Sequence, residues 1–522
     1  PLQTEAVAYI SGRKDLLASL FYFLALIGAR FRLRGTDVAS RLGGSSLFVV
    51  AAGFSFLSKE SALTLPATAL ALDIVTTRTG SLRARLGAAL KDGRLFYGIL
   101  FIAGGSALFY KLVLAPGTKV AFDLLSDPIT NLPDSLRSYS LYLRKTLWPW
   151  PLIADLNGLF PIQLGTASNW GTFWNGGTGL ATALGLGIAA AFLAMARRLK
   201  LVGIALGFYF MLALPVANLI PLNEPAAEHY AHLPLAALAV VFCGAAAALF
   251  RRSKLPSRFG IIAAAALLIV FAGASFQRAK VWLDSETLWT SVTESHEGSD
   301  RAWSNLGLVY SKAGDENKAT AAYQRALAIG PAPQPRIVAN LMQAMRSRGD
   351  LMGAAKAGRE GLAAFPDNPL LLSLTGGTLV QMGQPNAALP LLNRIAALPN
   401  GDREAAPGWR KDRALAHALT GDKVTGERLL LEARRLEPSD PTILSSLGWL
   451  YMDLNRWVEA DSVLTLAVAM PKASANAWLN HAVAKFRLGH VASAANALDE
   501  AEKRGAQIPP SLRQAVNSKL KE

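Results

Sequence analysis

From residue 1 to about 280, apolar positions come in runs long enough to cross a bilayer; from about 284 onward they fall into a short helical rhythm broken by charges. A spanning helix needs about 20 apolar residues. The runs 16–29, 95–113, 179–196, 201–221, 230–250 and 259–276 reach or approach that length. The stretch 45–76 exceeds one span and is interrupted by Ser58-Lys59-Glu60-Ser61, which predicts two short spans joined by a tight turn. Residues 139–153 are apolar apart from Arg144 and Lys145. A charge at the bilayer centre costs about 2.5–3.5 kcal/mol on insertion scales, and Trp148 and Trp150 suit a membrane surface. This segment is therefore expected to be interfacial or re-entrant, leaving eight spans. The predicted fold is all-α: a multi-span helix bundle over 1–280, then a helical solenoid over 284–522.

The second half repeats. In the window 300–333, Trp303, Leu306, Gly307, Tyr310, Ala319, Tyr323, Ala326 and Pro331 occupy positions 4, 7, 8, 11, 20, 24, 27 and 32. That is the tetratricopeptide pattern, a helix-turn-helix unit of about 34 residues. It recurs in weaker form from 335 (Leu341, Ala354, Pro366), 369 (Gly376, Ala388), 407 (Ala433, Pro438), 441 (Leu447, Gly448, Tyr451, Ala460, Ala467) and 475 (Trp478, Ala494, Leu498, Ala501). About six repeats are expected, closed by a polar capping helix near 510–520. Their aromatic residues Trp303, Tyr310, Tyr451 and Trp478 are expected to pack inside the repeats, and the concave face to receive a peptide or partner protein.

Charge refines this picture. The chain is 52% hydrophobic, only 17% charged, and carries a net charge of +16. Of the 26 Lys and Arg in residues 1–299, 16 lie in the segments 30–41, 78–94, 197–200 and 251–258, with only Asp37 and Asp92 beside them. Basic loops between apolar runs mark the cytoplasmic side, so the basicity reads as topology and not as nucleic-acid binding. The turn at Lys59-Glu60, the segments 1–15, 114–178 and 223–229, and the repeat domain then fall on the outer side. A single cysteine, Cys243, excludes an internal disulfide and a cysteine metal site; it reads as a small core thiol. No His/Asp/Glu set is diagnostic of a metal, so the need for a divalent ion stays open.

Most other ionisable groups of the first half form three clusters on that outer side: Glu5, Arg13, Lys14 and Asp15; Lys59 and Glu60; and Glu224, Glu228, His229 and His232. Polar groups at membrane depth mark functional sites. The three clusters together are expected to form one pocket, the alternative being solvated loop ends with ion pairs such as Arg13–Glu60.

The motifs carrying these clusters resemble a known family. The segment from Pro1-Leu2-Gln3-Thr4-Glu5 to Ser11-Gly12-Arg13-Lys14-Asp15, the turn Ser58-Lys59-Glu60, and Glu228-His229-Tyr230-Ala231-His232-Leu233-Pro234 are similar to motifs of the transmembrane and tetratricopeptide-repeat O-mannosyltransferases, with His229 standing for an Arg and His232 for a Tyr. The resemblance implies a membrane glycosyltransferase of the multi-span C type. It would move a mannose-like sugar from a polyprenyl-phosphate donor to a protein acceptor on the non-cytoplasmic face. It also implies a catalytic acid upstream of Pro1, hence a chain truncated at its N-terminus, and an inactive fragment. Arg13, Lys59 and His229 would hold the donor phosphate, and Glu5, Asp15, Glu60 and Glu228 would support them. His229 in place of Arg removes a permanent charge and a bidentate donor. A non-catalytic membrane-anchored scaffold is the alternative, and a bundle of eight spans exceeds what an anchor needs. The Ala-, Arg- and Gly-rich composition and short loops look bacterial, which would make the membrane the cytoplasmic one and the outer face periplasmic.

Overall fold

A computed structural model describes residues 13–76, 79–109, 135–136, 138–139, 141–142, 200–216, 227–252, 256–295, 297–330 and 334–521. Helices joined by turns and bends make up these residues, with no strand among them, and the chain divides into two compact units, Pro1–Ala302 and Trp303–Glu522.

In the first unit, α1 (Arg13–Arg34) and α2 (Val38–Ser58) form an antiparallel hairpin. Both are longer than their apolar runs. At about 1.5 Å per residue, each is about 32 Å long and matches a bilayer core. The basic segment between them contracts to a three-residue turn, because α1 continues to Arg34 and Asp37 caps α2 by accepting from the Ser40 amide at 2.7 Å. The hairpin closes tightly: a Cβ on Gly44 would stand 2.4 Å from the Arg32 amide nitrogen. The buried Ser55 hydroxyl donates to the Ala18 carbonyl at 2.9 Å. With no water in the bilayer core, such a group has to find a protein partner.

The expected turn at Ser58–Ser61 is present. The α2 helix stops at Ser58, Lys59 is extended, and a 3-10 turn, Glu60–Thr64, leads into α3 (Leu65–Thr76). Next come α4 (Leu82–Phe109), α5 (Lys200–Ala213), α6 (His232–Arg252) and α7 (Ser257–Lys280). Most of the basic segment 78–94 is thus the first part of α4. Tyr22, Phe48, Leu65, Tyr97, Leu212 and Leu233, drawn from α1 to α6, share one buried core. Among the described residues, three helices are long and apolar enough to cross a membrane: Arg13–Arg34, Val38–Ser58 and Arg258–Lys280. On α7 the apolar side chains face outward, Ile261, Ile262, Leu268 and Ile269 among them, and no protein covers them. A surface this apolar marks a membrane or protein contact, and its length and composition suit a membrane span. Cys243 corrects its expected place: it is exposed on α6. A helix in a bilayer can turn a small apolar thiol outward at no cost. The span 179–196 and most of 139–153 lie outside the described residues; the described part of 135–142 is helical, and the Tyr139 hydroxyl donates to the Phe210 carbonyl at 3.2 Å.

After α8 (Ser285–Ser295), which groups with the first unit, six helix pairs follow. They are α9 and α10 (Asp300–Lys312, Glu316–Ile329), α11 and α12 (Pro335–Ser347, Leu351–Ala364), α13 and α14 (Pro369–Gln381, Pro385–Ala397), then, after a one-turn α15 (Gly401–Glu404), α16 and α17 (Trp409–Leu419, Lys423–Leu436), α18 and α19 (Pro441–Asp453, Trp457–Val468), and α20 and α21 (Ala475–Arg487, Val491–Lys503). Each turn within a pair carries a residue of positive φ: Gly314, Gly349, Gly383, Gly421, Asn455 and Gly489. Aspartates follow three of them and cap the second helix, Asp315, Asp350 and Asp422 accepting from amides three residues on; each such cap is worth about 1 kcal/mol. The signature residues pack as expected. Tyr451 is buried, Trp303 and Tyr310 lie against the core around Met342, and Trp478 lies against the core around Leu498. A Cβ on Gly307 would meet the Tyr323 ring at 2.7 Å. Pro331 lies outside the described residues. The cap is α22 (Pro510–Lys521), which seats Val516.

Candidate functional site

The site forms where two helix ends and one 3-10 turn meet. Asp15 lies in the first turn of α1. Lys59 has just left α2 with φ −160° and ψ 150°, its amide still bonded to the Ser55 carbonyl at 3.1 Å. That single extended residue turns the side chain inward, where its ammonium pairs with the Asp15 carboxylate. The two side chains are only 5% and 8% exposed. Removing both charges from water costs several kcal/mol per ion, which the contact recovers only in good geometry.

The third wall is the 3-10 turn Glu228–Ala231 and the start of α6. The Tyr230 ring lies under the Lys59 ammonium, 5.2 Å from nitrogen to centroid. The His229 ring meets Tyr230 edge to face at 4.5 Å. Asp15, Ser19, Lys59, Ser61, His229 and His232 line the polar part of a tight cleft of about 10 Å³, room for about one water. Leu212, Val216, Leu233 and Pro234 form its apolar part. The arrangement offers one cation with a carboxylate already on it, two imidazoles and two hydroxyls beside an aromatic face, in surroundings of low dielectric.

Of the residues singled out from sequence, Asp15, Lys59, His229 and His232 are brought together here. Arg13 is exposed and is not among the cleft's lining residues. Glu5 lies outside the described residues, and the side chains of Glu60 and Glu228 do as well, although their backbones sit in the two 3-10 turns. Ser19, Ser61 and the position of Tyr230 beneath the ammonium were not evident from sequence. Neither was Asp73, 1% exposed on α3, whose carboxylate accepts from the Tyr97 hydroxyl at 3.0 Å. A lone acid inside the apolar stretch 45–76 was the signal available for it. Among the described residues, no three His, Cys, Asp or Glu gather as a metal site.

Long apolar helices with one uncovered in the protein, a buried ionic cleft at their ends, and a six-pair solenoid define a membrane protein with a tetratricopeptide-repeat domain. Two tetratricopeptide repeat families match it, over residues 300–333 and 443–476. The chain is related to proteins named as O-mannosyl-transferases. It is 30% identical over 139 residues to protein O-mannosyl-transferase Tmtc2 of Drosophila melanogaster, covering 26% of this chain and 14% of that one. It is 24% identical over 352 residues to protein O-mannosyl-transferase TMTC4 of Mus musculus, covering 62% and 47%. The chain thus spans about half the length of TMTC4 or less of the relatives it matches. Among solved structures, a tetratricopeptide repeat protein from Parabacteroides merdae covers 45% of this chain and 91% of its own, with 16% identity and a TM-score of 0.39.

Proposed function

We propose that this protein belongs to a membrane glycosyltransferase that moves a mannose-like sugar from a polyprenyl-phosphate donor to a protein acceptor on the non-cytoplasmic side, while its repeats hold the acceptor or a partner. The observation that supports this reading is the cleft in which Lys59, Asp15, His229 and His232 converge at the ends of membrane helices. A lipid-linked phosphate brings its head group to that depth. Cations placed where charge develops on a leaving phosphate lower the barrier most in a site that excludes water. In this reading Lys59 and His229 receive the phosphate, Asp15 holds Lys59 in place before the donor arrives, and the Tyr230 ring keeps the ammonium oriented. Arg13, at the exposed start of α1, meets the head group only from the rim. The names of the related proteins point to the same chemistry.

The test is transfer from a radiolabelled polyprenyl-phosphate mannose, measured on the full-length protein in lipid nanodiscs. Lys59→Ala is expected to raise the donor KM at least tenfold, measured on the fraction that remains folded. His229→Ala is expected to raise it less, in keeping with a group that is not permanently charged. Normal transfer by both variants at limiting donor would remove the cleft from the mechanism.

A further inference from the structure

The first helices of successive repeats pack on one another: α11 on α13, α13 on α16, α16 on α18, and α18 on α20. They therefore form the inner face of the solenoid, and that face is not continuous. At the third repeat, every residue of α13 from Leu371 to Leu379 is buried. The cover comes from the chain itself. The link between the third and fourth repeats is longer than the others, and its residues 405–408 cross α13 as a strap made of a bend and a turn that ends on Gly408 at φ 80°. The Ala406 amide donates to the Ser373 hydroxyl at 2.8 Å, and Ala406 packs with Leu371 and Leu374. Beyond the strap, Asp412 of α16 fills the notch at Gly377, where a Cβ would stand 2.5 Å from the carboxylate.

The inner face on the N-terminal side of this barrier has a distinct charge. Helix α11 carries Arg336 and Arg346 and no acid, and α9 ends on Lys312. Among the described residues none of these three makes an ion pair, although Arg346 is close enough to the buried Asp412 to attract it. On the first helices of the later repeats, Arg410 pairs with Asp402 and Glu437, Lys411 with Asp412 and Lys485 with Asp461, while Arg413 donates to Asn393 and Arg487 lies over the Trp457 ring. Arg336 and Arg346 lie ten residues apart, about 15 Å along the helix, with the exposed Gln343 between them.

From the strap and the cations of α11, which no carboxylate bonds directly, we infer that the inner face of the first two repeats is a separate, short docking surface for an acidic segment of extended polypeptide. The inference rests on the reading of the repeats as a protein-binding face and adds the chemistry and length of what binds. A concave face suits an extended chain and not a flat anionic bilayer. Carboxylates spaced about 15 Å, or roughly four to five extended residues, would reach both arginines, and the strap stops the segment there.

The experiment is fluorescence anisotropy of a fluorescein-labelled hexaglutamate peptide with the full chain in zwitterionic nanodiscs. Saturable, salt-sensitive binding is expected. Arg336→Glu with Arg346→Glu should weaken it at least tenfold. Arg359→Glu with Arg435→Glu, the same charge change on exposed positions of second helices, should leave it within twofold. A dodecaglutamate peptide should bind within about twofold of the hexamer, since the strap ends the surface. Equal losses in the two double variants, a large gain with the longer peptide, or no saturable binding would overturn the proposal. So would binding of phosphatidylserine vesicles that is lost in the α11 variant when the peptide does not bind. If a peptide without acids binds the inner face and hexaglutamate does not, the acidic assignment fails while the protein-binding reading stands.

Discussion

The ammonium of Lys59 and the carboxylate of Asp15, 44 residues apart in the chain, meet inside the membrane unit with almost no exposure to solvent. Each is the other's ionic partner, so neither can be removed alone without stranding a charge.

Asp15→Ala or Lys59→Ala should each destabilise the membrane unit by about 3–5 kcal/mol, the usual cost of breaking a buried pair from one side. Asp15→Leu with Lys59→Met should recover most of that loss, because two apolar groups of similar volume leave no charge behind. Thermal unfolding in detergent measures both. The double variant should remain unable to use a lipid-phosphate donor; restored transfer would show that the pair is structural only.

The pairing was not legible in the sequence, and the reason is geometric. Arg13 and Lys59 were the expected neighbours. Arg13 and Asp15 are two residues apart on a helix, about 200° around its axis, so a face that turns Asp15 inward turns Arg13 out. Which face that is depends on how α1 meets α2, and hence on the close contact at Gly44. The repeats were far more legible, because Trp303, Gly307 and Tyr323 meet within a single pair of helices and their spacing carries the contact. The strap was not legible, since residues 405–408 gain their position only from Ser373, in a different repeat.

Gly44→Val should separate α1 from α2. The nearest atom to the new Cβ is backbone nitrogen of Arg32, which cannot rotate away. Overpacking of this kind costs about 1–3 kcal/mol. The loss should appear as a lower midpoint in detergent unfolding, whereas Gly53→Ala, with open space around it, should leave the midpoint unchanged.

The repeat domain should lose stability in mild acid through His481. Its imidazole is buried between α19 and α20, faced by Asp461, Thr465 and Lys485. Burial holds it below the ordinary value of 6.5, with Asp461 opposing that shift. The folded state therefore binds fewer protons than the unfolded one. The stability this represents is complete above about pH 6.5 and is lost as the pH falls from there through the folded value. His481→Gln should flatten the dependence of the unfolding midpoint between pH 7.5 and 5. An unchanged slope would assign it to another group.

Asp412 acts in the opposite sense. Burial raises its carboxyl above the ordinary 3.8, against the attraction of Lys411. Its charge is thus a burden to the folded state at neutral pH and is relieved as the pH falls through the raised value. Asp412→Asn should raise the midpoint by a few degrees at pH 7, and the gain should shrink toward pH 4. A lower midpoint at pH 7 would mean that the contact with Lys411 outweighs burial.

The strap has a consequence for how the solenoid comes apart. In an array where each unit touches only its neighbours, stability behaves as a one-dimensional chain of couplings and any junction is a place to break. The bond from Ala406 to Ser373 and the enclosure of α13 strengthen the junction between the third and fourth repeats beyond the others. Such an array unzips from both ends toward a central lock. Amide hydrogen exchange should then be slowest in α13 and progressively faster toward α22, a gradient that places the last helices to melt at the point where the repeat spacing is irregular.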